Sequence, residues 1–389
     1  MIEFPFERER SSFPILSERS QLTSCSQSAL ARPVEAAVQR YLTHWREDGM
    51  AWVAWMDGVE ASRRAFATLI GAEPDEVAVV SSVSHAVAAL GTTLDYPSDR
   101  PDVVTTEMDF PTVGHSWLPQ EQGGARIRFV PWDGGPLRVE ALEPHVSRST
   151  RVLSIPHQSY YNGARADLVE VAALAQEHGT LLLVDAYQSL GTCRVDVRAL
   201  GIDALVAGAQ KYLLGMPGIA FLYLRRELAE RLSPRVTGWF GQGNPFAFDI
   251  HGGDPAPGAR RFDAGTPPMV NGAAAAAGLD LLLTVGIDRI ETYLRELTGF
   301  GLQQARERGL ELATPDQPDR VGPNVAVRVG DANAVAERLA GQDIIVSPRR
   351  DVVRIAPHFY TRPTELTDAL DAVADIVAAG PPQERAPAP

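Results

Sequence analysis

The sequence predicts an α/β protein, with a mostly parallel seven-stranded sheet in a large domain and a small α+β domain at the C-terminal end. Two observations carry this. Between residues 77 and 224, seven short runs rich in valine, isoleucine and leucine alternate with segments of helical period, the order that gives parallel strands joined by crossover helices. Beyond residue 270 the pattern changes, and two long helical segments lead into a second, smaller set of strands and helices. With 389 residues and 45% hydrophobic side chains, the chain can bury a core of that size.

The elements follow in order. Residues 1–20 read as an irregular arm. After Arg32-Pro33, apolar residues recur at helical spacing over 34–45, and a second amphipathic run over 60–70 ends at Gly71. Residues 1–60 are therefore expected to pack on a main body spanning 61–270. Strands of that body are expected over 77–80, 103–105, 126–131, 152–155, 181–184, 204–206 and 219–224. The clearest helix between them starts at an Asp167 N-cap, runs to Glu177 and is stopped by Gly179. Residues 238–268 are rich in glycine, proline and aromatics and too long for a simple connection, which is more often functional than idle. Helices over 271–284 and 287–308 open the last domain, 271–380, completed by elements at 325–329, 332–339, 344–346, 352–355 and 365–377. The Pro-rich tail, 381–389, is expected to be disordered.

Charge and composition exclude several functions. The net charge is −13 and no basic run exceeds a pair such as Arg260-Arg261, so no nucleic-acid partner is expected. No apolar stretch is long enough to span a bilayer, and Met1-Ile2-Glu3-Phe4 lacks the basic and apolar regions of a leader; the expectation is a cytoplasmic protein without a membrane partner. Cys25 and Cys193 lie far apart and the eight histidines are scattered, so neither a disulfide framework nor a metal site is expected.

Lys211 is the only lysine; every other basic residue is arginine. Arginine replaces lysine for charge and solubility, but only an amine condenses with an aldehyde to a Schiff base. Codon bias alone would also leave few lysines, so the surroundings decide. Asp185 closes the run Leu181-Leu182-Leu183-Val184, at the strand end where open α/β sheets place ligand-binding groups. Gln188 follows three residues later, and Gln210 immediately precedes the lysine. Ser81-Ser82-Val83-Ser84-His85-Ala86 leads from the first strand into a helix, so its amides and hydroxyls suit an anion, with Ser84 as a plain N-cap the alternative. Further candidates are Phe110 in Glu107-Met108-Asp109-Phe110-Pro111, Tyr160 in His157-Gln158-Ser159-Tyr160-Tyr161-Asn162-Gly163, and Trp239 in Gly238-Trp239-Phe240-Gly241. Two motifs complete the set: Arg261-Phe262-Asp263-Ala264-Gly265-Thr266-Pro267 and Val353-Arg354-Ile355-Ala356-Pro357-His358-Phe359-Tyr360.

Spread over most of the chain, these motifs resemble the class V aminotransferase family of fold-type I pyridoxal-phosphate enzymes, which includes kynureninases, cysteine desulfurases and isopenicillin N epimerase. The resemblance implies pyridoxal 5′-phosphate as cofactor, Lys211 as the residue that carries it and Asp185 as the partner of its pyridine nitrogen. It implies phosphate contacts from Val83, Ser84, Gln210 and, across a homodimer with shared active sites, Gly265 and Thr266. Phe110 would stack on the ring with Tyr160 nearby, Gln188 would face the phenolic oxygen, Trp239 would border the substrate, and Arg354 would grip its α-carboxylate. Phe110 and Tyr160 are kynureninase-like, whereas Gln188 is desulfurase-like. Gln210 departs from the histidine or tyrosine usual at its position.

Desulfurases need a cysteine in the small domain, and residues 344–360 contain none, which argues against sulfur transfer. The mixture of Phe110, Tyr160 and Gln188 resembles class V enzymes that cleave C–S bonds of S-substituted cysteines without a catalytic cysteine, which implies β-elimination by a C–S lyase of specialised metabolism. Transamination and decarboxylation-coupled oxidative deamination are the catalytic alternatives; a non-catalytic pyridoxal-phosphate-binding protein is the alternative of another class.

Overall fold

The computed structural model describes residues 2–379. The expected tail, 381–389, lies outside the described residues. In chain order the helices and strands that place the site are α1 (Arg32–Asp48), α2 (Trp52–Ile70), β1 (Val77–Val80), α3 (Val83–Thr93), β2 (Asp102–Thr106), α4 (Pro111–Trp117), β3 (Arg126–Val130), β4 (Thr150–Pro156), α5 (Leu168–Glu177), β5 (Leu181–Asp185), β6 (Ala204–Gly208), β7 (Ala220–Leu224), α6 (Met269–Val285), α7 (Ile287–Glu307), β8 (Val325–Arg328), α8 (Ala332–Ala340), β9 (Ser347–Arg349), β10 (Val352–Ile355) and α9 (Pro363–Ala378).

The seven strands β1 to β7 form one sheet in the order β1-β7-β6-β5-β4-β2-β3. All neighbours are parallel except β7, which runs antiparallel to both β1 and β6. Every residue of β1, β2, β5, β6 and β7 is buried, as a sheet covered on both faces requires. Only the edge strand β3 is largely open, and its Arg126 and Arg128 both pair with Asp102 on β2, a charged edge that resists pairing with another chain. The chain leaves β2 outward to β3, then re-enters at β4 and proceeds the other way. Between β2 and β4 lies the switch point where such sheets open a crevice beyond the strands' carboxyl ends.

The remaining strands form a separate antiparallel sheet, β9-β10-β8, carried by α7, α8 and α9. The strand expected at 344–346 divides. Ile344 and Ile345 pair in parallel with Ser20 and Gln21 of the N-terminal arm, while β9 begins at Ser347. The arm itself, expected to be irregular, is anchored on the small domain that carries this sheet. Phe6 and Phe13 are buried against Phe359 and Tyr360, and the guanidinium of Arg10 pairs with Glu365 at 2.8 Å. Their partners lie some 350 positions away, so no local period marked the arm as ordered.

The alanine- and glycine-rich α6 packs against α1 and α2. A Cβ on Gly278 would lie 2.7 Å from the carbonyl oxygen of Leu213, and one on Gly272 would lie 2.8 Å from Val59 of α2. The first absent side chain lets the helix press directly on the loop that follows Lys211, and the second lets it press on α2. The same loop is held from the other side by Gly191, with φ +90°, where a Cβ would meet the Tyr212 carbonyl at 2.2 Å.

Candidate active site

A cavity of about 340 Å³ opens at the switch point, where the carboxyl ends of the large sheet face β9 and β10 of the small one. Its walls collect Val83, Ser84, Phe110, Tyr160, Asp185, Gln188, Gln210, Lys211 and Arg354. Residues from five strand ends and the small domain thus converge on one space, although up to 271 positions separate Val83 from Arg354.

Lys211 follows β6, and its Nζ stands 4.1 Å from the centroid of the Tyr187 ring and 5.8 Å from that of Phe110. Burial disfavours the ammonium and lowers its pKa to about 8, against a smaller opposing pull from Asp185. An amine titrating at about 8 is about one-tenth neutral at pH 7, several hundred times more than an ordinary lysine. Capture of an aldehyde by the cofactor-free protein is therefore expected to rise about tenfold from pH 6 to 7 and to level off above pH 8. Stopped-flow absorbance across that range measures it; a rate still climbing through pH 9 and 10 would contradict the lowered value.

Asp185 ends β5 and is 9% exposed. Its Oδ1 accepts the Tyr187 amide at 2.8 Å, and no arginine pairs with it among the described residues. Burial raises its pKa, only partly opposed by that amide and by Lys211. A buried carboxylate held this way suits a cationic N–H donor in the cavity. Behind it sits a second buried acid, Asp109, whose Oδ2 accepts the Thr105 hydroxyl at 3.2 Å while Oδ1 has no partner. Burial first, and then the charge of Asp185, push the Asp109 pKa well above the ordinary carboxylate value.

The anion end is built by α3. Its N-cap is Ser82, whose hydroxyl accepts the His85 amide at 3.1 Å, and Ser84 stands inside the first turn with its hydroxyl 2.8 Å from that of Thr112. The amides of Val83 and Ser84 have no intrahelical acceptor and face the cavity, an arrangement suited to a phosphate. Phe110 is 41% exposed in the cavity wall and meets Tyr160 edge-on at 5.0 Å. Gln188 donates to the Cys25 carbonyl at 3.0 Å and leaves its own buried Oε1 without a partner, while Gln210 donates to the Ser26 carbonyl at 3.4 Å.

Arg354 is 1% exposed and has no carboxylate partner among the described residues. Its Nη1 donates to the Tyr160 carbonyl at 2.6 Å, its Nη2 to the hydroxyls of Ser26 and Ser347 at 2.9 and 2.6 Å, and its Nε to the Ser347 carbonyl. A buried guanidinium paired only with neutral acceptors is suited to an incoming anion.

The remaining expected residues lie elsewhere. Gly265 and Thr266 are exposed and do not line this cavity. Neither does Trp239, which packs instead against Trp52 of α2 at 6.1 Å and against Phe240 at 4.5 Å. Its own loop folds back on α2, which takes the indole away from Lys211 of the same chain. Conversely, the cavity wall includes Tyr187, Ser26, Thr112, Arg349 and Cys25, none of them expected there. Cys25 lies 186 residues from Lys211 in the sequence. It is brought in because Thr23 bridges to Ala356 and the Ser28 amide donates to the Gln210 carbonyl at 3.3 Å.

A free aldehyde carrier with a cationic ring nitrogen and a phosphate matches these groups: an amine with a lowered pKa, a buried carboxylate without an arginine partner, an unpartnered amide oxygen and open helix amides. Comparison with known proteins points the same way. The family model described as Aminotransferase class-V matches residues 22–357. An uncharacterized aminotransferase of Bacillus subtilis strain 168, YcbU, is 41% identical over 368 residues, 95% of this chain and 97% of that protein. Kynureninase of Pseudomonas fluorescens is 27% identical over 368 residues, 89% of this chain and 87% of that protein. Among solved structures, a C-DES mutant with glycine covalently linked to the PLP cofactor shares the fold with a TM-score of 0.85 at 19% identity, covering 94% of this chain and 99% of that one.

Proposed function

This chain belongs to the class V aminotransferase family, which makes it a fold-type I, pyridoxal-phosphate-dependent enzyme, and from that premise we propose that it eliminates the β-substituent of an S-substituted cysteine. Lys211 would carry the cofactor, Asp185 would face its ring nitrogen, and Val83, Ser84 and Gln210 would hold its phosphate. Phe110 would cover one face of the ring, with Tyr160 and Gln188 beside it. When bound, the cofactor supplies an electron sink that makes the bonds at the substrate's α-carbon labile. The chain's own residues then do three things. The Nζ of Lys211, once free and neutral, removes the α-proton and holds it. The last open N–H of Arg354 receives the α-carboxylate. The apposed rings of Phe110 and Tyr160 shield the α-carbon from water on their side.

The observation that carries this reading is the cavity's single lysine base with a lowered pKa, in a wall that holds no histidine or glutamate. Elimination needs only that base and a leaving thiolate. Overall, one substrate and one water give one thiol, one pyruvate and one ammonia. Sulfur transfer does not suit Cys25, which is 1% exposed and pinned in a paired segment. A second reading, transamination, is favoured by the description of the 41% identical relative as an aminotransferase.

Incubating the holoenzyme with S-alkyl and S-aryl cysteines separates the readings. Thiol and pyruvate in equal amounts are expected. A 2-oxo acid that keeps its sulfur would establish transamination, carbon dioxide would establish decarboxylative deamination, and absence of all products would leave a binding protein.

The assembly we infer is a homodimer. Gly265 and Thr266 are exposed, and beside them Met50, Val53, Phe246 and Phe248 are 55–74% exposed around the Trp52–Trp239 pair. An apolar surface of that extent is suited to burial against a second copy, whose cavity those loop residues and Trp239 would then border. No single helix among the described residues is long and apolar enough to cross a membrane, and a cytoplasmic location is the reading we adopt.

A further inference from the structure

Arg349 belongs to the cavity wall, yet nothing in the reaction outlined above uses it. It ends β9, and its placement follows from the register of the small sheet. Ser347 lies directly across from Arg354, and Arg349 is two residues beyond Ser347 on the same strand, so Arg349 and Arg354 share one face as diagonal neighbours. Neither has a carboxylate partner among the described residues, and the Nε of Arg349 is buried without any partner.

The two arginines differ in what they have left to give. In Arg354 the Nε hydrogen, one on Nη1 and both on Nη2 already meet protein acceptors, which leaves one. Arg349 has its whole fork open. Lys211, Arg349 and Arg354 face the cavity against one carboxylate, Asp185, and the phosphate-binding amides of α3 belong to the other domain. One α-carboxylate does not offset two neighbouring guanidinium groups. The low-dielectric site pushes the Arg349 pKa down, first through burial and then through Arg354, as expected for a cation awaiting an anion.

We propose that the substrate carries a second anionic group, a carboxylate or sulfonate beyond its β-carbon, and that Arg349 grips it in a bidentate pair while Arg354 takes the α-carboxylate. This rests on the reading of the cavity as an amino-acid site, and it names the substrate class within that reading: acidic S-substituted cysteines rather than neutral ones.

The test uses two probes of equal shape, S-carboxymethyl-L-cysteine and its neutral amide, S-carbamoylmethyl-L-cysteine. Binding is read from the visible spectrum of the holoenzyme, independently of product formation. The acid is expected to bind at least about tenfold more tightly than the amide, as a charge-assisted pair implies. Arg349→Gln is expected to bring that ratio within about twofold, and Arg349→Lys, which keeps the charge, to retain part of it. Equal binding of both probes by the wild type, or a preference that survives Arg349→Gln, would overturn the proposal. So would an Arg349→Gln protein whose loss is in cofactor affinity instead, since that would assign the arginine to the phosphate. If neither probe perturbs the spectrum, the amino-acid site itself is misassigned and this inference falls with it.

Discussion

Replacing Lys211 by alanine abolishes turnover, lowering kcat by about 10³-fold or more, because one side chain both carries the cofactor and moves the α-proton. The protein is expected to fold. Nothing in the fold depends on Nζ, which makes no hydrogen bond among the described residues and touches the site through the Tyr187 and Phe110 rings. The sign of the stability effect follows from the lowered pKa. A lysine that binds its proton less tightly when folded costs stability wherever the unfolded amine is protonated and the folded one must be too, which is the region below about pH 8. The cofactor-free alanine variant is therefore expected to melt no lower than wild type at pH 7. Added methylamine is expected to restore part of the exchange of the α-proton, since it returns a neutral base to the cavity. Loss of activity with loss of fold, seen as a collapsed melting transition, would contradict the assignment.

Asp185→Asn is expected to lower kcat by about 10²- to 10³-fold with a much smaller change in KM, because it removes a charge aimed at the reacting system and leaves the substrate's anion contacts intact. Stability should move the other way. Burial raises the Asp185 pKa, so the folded protein holds that proton more tightly than the unfolded chain. Above the ordinary carboxylate range the ionised group costs stability, and the cofactor-free asparagine variant should melt higher at pH 7. Asp109 adds a signature. Burial first and then the charge of Asp185 raise its pKa, so Asp185→Asn is expected to lower it. Steady-state kinetics and calorimetry measure both; an unchanged kcat would remove Asp185 from the mechanism.

Much of the large domain was legible because its physics is local. The runs at 77–80 and 181–184 are apolar on both sides, and the structure extends the second by one residue, to Asp185 itself. Asp167 and Gly179 bound α5 by the cap chemistry their residue types supply, with the Asp167 carboxylate accepting two amides and Gly179 at φ +60°. Strand ends carry the site in such sheets, so Asp185, Gln188 and Lys211 were readable as neighbours before any coordinates.

What stayed hidden depends on contacts between distant segments. Cys25 and Ser26 enter the cavity only because the N-terminal arm pairs with the small domain, and Phe6 and Phe13 gave no period to announce it. Arg349 was missed because the strand was expected to stop at residue 346. Alternation across Ser347, Arg349 and Arg354 was present in the sequence, but a face can be assigned only once the hairpin register is known. Tyr187 was two residues beyond Asp185 and overlooked, although its amide and its ring both serve the site. Trp239, Gly265 and Thr266 were expected at the site from their motifs alone, and no local pattern announced that Trp239 packs against Trp52 of α2.

The most direct test exploits the solitary lysine. Reducing the holoenzyme with borohydride, digesting it and weighing the peptides fixes the point of attachment. The predicted result is a phosphopyridoxyl mass on the peptide containing Gln210-Lys211-Tyr212, at one per chain; recovery of that peptide unmodified, with the mass absent or on the N-terminal amine, would contradict the account.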